Sequence, residues 1–222
     1  MKKKVSKQIT IRLWAAALLA PILVVGYFIS VIGWHELQNI PWAHEVNQFI
    51  SSKAIEFRDP EIPEEYIDVY QSAEAEYGVP WQLLAAHHRI ETRFSTMDPL
   101  LSPVGAEGHM QFMPCTFVGW SHPTCSGLGQ GEIPVEDKTN PKVIAVYGGY
   151  GVDGDGDGIA DPYNIYDAVF SAANYLGANG AADGELERAI FNYNRSDAYV
   201  KDILYFFAQY EEKYPERVTR SQ

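Results

Sequence analysis

Two groups of acidic residues in this 222-residue chain have the spacing to do chemistry, and they suit different kinds of it. The stretch VDGDGDGIADPYN, residues 152–164, sets Asp153, Asp155 and Asp157 between glycines, continues through Gly158 and adds Asp161. Carboxylates so closely spaced on a turning backbone suit a hard cation such as Ca2+, which binds oxygen ligands. One register of a twelve-residue calcium loop fits. Asp153, Asp155 and Asp157 take positions 1, 3 and 5, Gly158 takes 6, the Ile159 carbonyl takes 7 and Asp161 takes 9. Asn164 falls where a bidentate glutamate is usual, so the last ligand is weaker or comes from elsewhere, for example Asp167. A calcium sensor would pair two loops and expose a Met-rich groove, whereas this chain has one loop and four methionines. The expectation is a structural Ca2+, set against the alternative of a solvated acidic turn.

The second group centres on Glu91. It shares a helical stripe with Leu84 and His87, so its carboxyl points to the apolar side near the end of a helix. Burial, the negative end of the helix dipole and an acidic surrounding field all favour the neutral acid there. A carboxylic acid held neutral near pH 7 is what general-acid catalysis needs. The plainer alternative is a glutamate paired with Arg89 or Arg93, since structural ion pairs perturb carboxylates too. His87 and Glu91, four apart on one face, also admit a metal, but no HExxH-like set accompanies them.

Four segments keep Glu91 company in order: IETRF at 90–94, SPVGAEGHMQFMP at 102–114, SAANYLGANG at 171–180 and AIFNYN at 189–194. Over about residues 63–210 they resemble the motifs of the SLT-type lytic transglycosylases of the lysozyme-like superfamily. The resemblance implies a mainly α, lysozyme-like domain acting on peptidoglycan, with Glu91 as the sole catalytic acid/base. It implies that Ser102, Met110 and Gln111 line the sugar groove and that Tyr193 and Asn194 position Glu91 and substrate. It further implies cleavage of the MurNAc–GlcNAc bond with 1,6-anhydro ends, the substrate's N-acetyl group standing in for a second carboxylate. Gly105 and Gly108 have a physical role of their own, permitting turns and close backbone approach. His87, His88 and His109 depart from the family pattern, as does the Cys115 to Cys125 insertion. Two other functions stay open: a hydrolytic muramidase on the same fold, and a catalytically silent glycan-binding scaffold.

The elements that must position these residues are helices. Pro63 suits the start of one in which Tyr66, Ile67, Tyr70, Ala73 and Tyr77 recur at helical spacing, and Gly78 suits its end. Pro80 opens the helix of Glu91. A third stripe runs through Ala168, Val169, Ala172, Tyr175 and Leu176 up to Gly177 and Gly180. A shorter helix covers about 185–191. Ser196 suits the cap of the last, which carries Val200, Ile203, Leu204 and Phe207. Strand alternation is lacking, and 95–120 and 120–165 read as long connections of the kind that carry function.

Ahead of this domain, 63–215, the chain divides into a basic segment 1–12, an uncharged run 13–34 and a proline-bearing stalk 35–62 with one short helix expected at Trp42 to Phe57. The run matches the roughly 20 residues that cross a bilayer, flanked by Trp14 and Trp34. An uncleaved single-pass anchor is expected, rather than a signal peptide, with the C-terminal domain outside the cell membrane. The remainder holds 12 bases against all 29 acids, a balance of −17, which disfavours nucleic acid as a partner. Cys115 and Cys125, in an oxidising compartment, read as a disulfide; a zinc site with His109 and His122 is the alternative.

Overall fold

The computed structural model describes residues 61–215, within a compact unit that begins at Pro60. The anchor expected at 13–34 and the stalk helix at 42–57 lie outside the described residues. Among the described residues, no helix is long and apolar enough to cross a membrane. These residues are mainly helical and contain no extended strand, only the isolated bridges of Leu101 and Phe112 with Glu107.

Helix α1, Ile67–Tyr77, follows a short 3-10 turn at Glu64–Tyr66 and stops at Gly78 in a left-handed conformation. Helix α2, Trp81–Thr92, follows Pro80. Helix α6, Ile165–Ala178, is capped by Asn164, whose side chain accepts from the Tyr166 N–H. Helix α7 spans Leu186–Tyr193, and α8 spans Asp197–Lys213 with Ser196 as its cap. The region read as long connections contains three more: α3, Pro114–Val118; α4, Val135–Lys138; and α5, Pro141–Tyr147. They are too short to show a hydrophobic period, although Pro114 and the pair Asn140–Pro141 are start signals.

Helix α2 is the centre. Every residue from Trp81 to His88 is buried, and the helix packs chiefly on α8, with α1 on another side and α6 behind α1. Ala85, Ala86, Ala168, Ala172, Ala173 and Ala189 are all buried, so neighbouring helices approach closely there. The polar members of α2 are sunk with the rest: Gln82 donates to the Tyr214 carbonyl at 3.1 Å, and His87 and His88 are fully buried. A helix buried on all sides keeps its orientation, which fixes the direction in which its last turn presents Glu91.

Cys115 and Cys125 are joined, with 5.6 Å between their Cα atoms. Gly108 lets the 101–114 loop pack on the aspartate stretch. Its φ is +77°, and a Cβ there would collide with the Pro162 carbonyl oxygen.

Candidate active site

Helix α2 ends in an unusual way. Arg93, Phe94 and Ser95 follow one another with φ of +51°, +55° and +66°, a region that costs a non-glycine residue about 1–2 kcal/mol each. The Arg93 N–H closes on the Arg89 carbonyl, and the Ser95 N–H donates to Thr92 Oγ1 at 3.1 Å, so the turn is held by its own hydrogen bonds. It brings Glu91 to the edge of the domain and folds Ser95 back under α2.

Glu91 is half-buried, and burial pushes its carboxyl up to about 7, with a hydrogen bond from Tyr199 pulling the other way. The Tyr199 hydroxyl donates to Glu91 Oε1 at 2.5 Å. Behind it, His87 Nδ1 lies 2.9 Å from the same hydroxyl. His87 Nε2 is buried with no hydrogen-bond partner among the described residues. Burial drives the His87 pKa down to about 3, so the ring is neutral. Arg89, which sequence offered as a partner for Glu91, lies over the Phe206 ring at 4.4 Å.

A second line leaves α2 from His88. Tyr70 Oη lies 2.6 Å from His88 Nδ1, Ser95 Oγ lies 2.7 Å from His88 Nε2 and 2.6 Å from His109 Nδ1, and His109 Nε2 lies 2.9 Å from the Tyr163 carbonyl. A carbonyl can only accept, so His109 Nε2 carries the proton. Burial lowers the pKa of both His88 and His109, so each ring is neutral and has one N–H. Ser95 therefore donates to His109 Nδ1, His88 Nε2–H donates to Ser95 and Tyr70 donates to His88 Nδ1. Every ring nitrogen in this line is used once.

The other residues singled out by sequence fall in several places. Tyr193 does not reach Glu91 with its hydroxyl, which donates instead to the Met110 carbonyl at 2.7 Å, while its ring leans on His87 at 4.9 Å. Met110 is fully buried, so its side chain belongs to the core and not to a groove wall. Gln111, at φ +50°, donates from its amide to the Gly108 carbonyl at 2.8 Å and lines a small cleft of about 70 Å³ with Phe112, Met113, Tyr175 and Tyr193. The Ser102 hydroxyl accepts from the Ala106 N–H at 2.8 Å, inside its own turn. Asn194 is exposed and ends α7. Tyr199, which holds Glu91, was not among the expected residues, although stepping back four from Ile203 on the stripe of α8 reaches it.

In the aspartate stretch, Asp153, Asp155 and Asp167 each offer a carboxylate oxygen, and these lie within 4.8 Å of one another. Asp157 and Asp161 turn their carboxylates to the N–H groups of Ile159 and Tyr163, and Asn164 caps α6. Asp167 is fully buried at α6 and accepts from the Gly154 and Asp161 N–H groups. Burial nonetheless pushes it up to about 6, against those two bonds.

The chain is similar to an L-Ala–D-Glu endopeptidase of Bacillus subtilis (strain 168), 30% identical over 140 residues. The match covers 63% of this chain and 40% of that relative. No family profile and no solved structure matches. The expectation of an SLT-type lytic transglycosylase, a lyase acting on glycan strands, is thereby corrected, because the relative found is an endopeptidase, and the muramidase alternative gains no support either. A physical reason accompanies the correction. The segment GAEGHMQFMP carried much of the resemblance, yet Met110 is a core residue and Gly108 is required by the Pro162 contact. Packing explains both without a glycan.

Proposed function

We propose that the chain is a cell-wall hydrolase acting on peptidoglycan, with Glu91 as its acid/base. The observation that carries the reading is a half-buried carboxyl poised near neutrality and held on one oxygen by Tyr199. Such a group can take a proton from an attacking water and return one to the leaving atom, both halves of a hydrolysis. The relative's name supports the polymer: an L-Ala–D-Glu bond joins residues of opposite hand, as the stem peptides of bacterial walls do. Ser102, Gln111, Tyr193 and Asn194 remain the proposed contacts to substrate, with the Met110 carbonyl fixing Tyr193. A lysozyme-like arrangement of the helices is part of the same proposal, supported by a buried α2 that ends in Glu91 beside the 101–114 loop.

The test is digestion of purified peptidoglycan by the full chain and by Glu91→Gln, with soluble products read by mass spectrometry after labelling of free amino groups. Fragments released by the parent and reduced at least about a hundredfold in the variant are expected. A new free amino group on D-Glu would mark the bond that the relative's name points to. Equal release by both proteins, or none from either, would overturn the reading.

We also infer that residues 13–34 hold the protein in the cell membrane with the acidic remainder outside, which carbonate extraction of membranes tests. The aspartate stretch is proposed to bind Ca2+ as a structural ion. The donor set fits a hard cation, since three carboxylates converge and the buried one, Asp167, is costly to ionise alone. Asp153, Asp155 and Asp167 would hold the ion. Its contribution there is to fix the loop on α6, not to react.

A further inference from the structure

His87 is unexplained by packing. It sits fully buried in the centre of α2 beside His88, and unlike His88 it leaves one ring nitrogen without a partner among the described residues. A leucine would fill the place without that cost. The ring's one hydrogen bond goes to the hydroxyl that holds Glu91.

Two arguments fix its tautomer. Tyr199 has a single hydroxyl proton, committed to Glu91 Oε1, so His87 Nδ1 must be the donor to Tyr199. Independently, a buried lone pair without a partner is tolerated better than a buried N–H without one. That places the bare lone pair on Nε2 and the proton on Nδ1. Both routes give the same ring.

The consequence concerns Glu91. When it is neutral, its proton has two possible homes. A proton on Oε1 would point at Tyr199, whose own proton would turn to His87 Nδ1, forcing the ring proton to Nε2, where no group among the described residues receives it. A proton on Oε2 leaves the whole line as it stands. We propose that His87 is a positioning residue: by donating to Tyr199 it keeps that hydroxyl aimed at Oε1 and confines the transferable proton of Glu91 to Oε2, the oxygen left for substrate. This rests on the reading of Glu91 as acid/base only for its catalytic meaning. The placement of the proton stands on the hydrogen-bond geometry.

Three variants of the full chain test it. His87→Leu removes the donor. His87→Asn sets an amide N–H near the place of Nδ1, and His87→Gln sets one near the place of Nε2. Infrared titration of the protonated carboxyl band, assigned by its loss in Glu91→Gln, follows Glu91 directly, and the pH profile of peptidoglycan cleavage follows its use. With the donor gone, Oε1 becomes the preferred home for the proton, by about tenfold over Oε2, because Tyr199 is then free to accept from it. Leu should therefore raise the Glu91 midpoint by about one pH unit and lower kcat about tenfold with KM little changed. Asn should restore both to within about threefold, and Gln should behave as Leu. Should His87→Leu not fold, the Asn and Gln pair decides on the same readings. A midpoint and pH profile identical in parent, Leu and Gln would overturn the proposal. A shifted midpoint in a protein whose cleavage ignores Glu91→Gln would instead overturn the catalytic reading and leave this one intact.

Discussion

His87 and His88 are neighbours at the heart of α2, yet the hydrogen-bond lines that leave them differ. The His88 line runs from Tyr70 through Ser95 and His109 to the Tyr163 carbonyl, and each ring nitrogen has a partner. The His87 line runs through Tyr199 to Glu91 and begins at a nitrogen that has none among the described residues. Both rings are neutral because burial lowers them to about 3. A line with every group matched is a structural device: it ties α1, α2, the turn after Glu91 and the 101–114 loop together. A line that starts on an unmet lone pair and ends on a carboxyl raised by burial gives up stability, and that is the pattern expected if Glu91 does the chemistry proposed for it.

Glu91→Gln gives the largest expected effect and breaks the comparison at the end of the His87 line. Cleavage should fall about 10²–10⁴-fold. Stability should move the other way. The folded-state pKa of about 7 lies above the ordinary 4.5, so the folded state holds the proton more tightly, and stability is lost as pH rises from 4.5 through 7. Glutamine escapes that loss. The variant should gain about 1–3 kcal/mol over the parent at pH 8, a range discounted for partial exposure, and nothing at pH 4. Urea unfolding at the two pH values checks it; no gain at pH 8 would mean that Glu91 is not desolvated.

Acid acts on both lines at once. The folded pKa of each buried histidine is depressed from 6.5 to about 3, so the stability they lend is present above pH 6.5 and lost as pH falls toward 3. The pair should cost on the order of several kcal/mol across that window. His87→Asn, which does not titrate, should flatten the fall, and melting temperatures at pH 7, 5 and 4 would reveal an unchanged slope.

Ser95→Ala cuts the His88 line in the middle. It strands the His88 Nε2–H and His109 Nδ1 together, for about 2–4 kcal/mol of lost stability. The pH profile of cleavage should stay where it is, because Glu91 and Tyr199 are untouched. A shifted profile with intact stability would erase the distinction between the two lines.

Much of this was legible in the sequence. Gly78 and Pro80 bracket the α1 to α2 corner, Ser196 marks the start of α8, and the stripe Leu84, His87, Glu91 aims the carboxyl inward, because caps and helical periods act locally. Tyr199 was harder to see: it lies 108 residues from Glu91, and only packing of α8 on α2 joins them. Burial of Met110 is likewise a tertiary fact, since a methionine two residues after a turn glycine reads as easily as a groove wall. Asp167 entered the sequence reading only as a substitute ligand, and its meeting with Asp153 and Asp155 depends on how α6 starts. Of the three short helices between 114 and 147, two carry start signals, and none has enough residues to show a period.

The smallest expected effect sharpens the comparison through the aspartate stretch. The His88 line ends at the Tyr163 carbonyl, two residues beyond Asp161, and the backbone N–H of His109 donates to the Pro162 carbonyl at 3.1 Å. A cation held by Asp153, Asp155 and Asp167 would therefore brace the segment on which that line rests, while Glu91 titrates behind a separate line. Ca2+ at a hundred times its dissociation constant would add about 2.7 kcal/mol to unfolding, falling with the logarithm of its concentration below that. The melting temperature of the full chain should rise with Ca2+ and fall with chelator, with no such response in Asp167→Asn. The infrared midpoint of Glu91 should be the same in all of these. A chelator-insensitive melting curve would leave the stretch a solvated turn. A Ca2+-dependent midpoint would instead mean that the two lines, distinct in their hydrogen bonds, are coupled through α2.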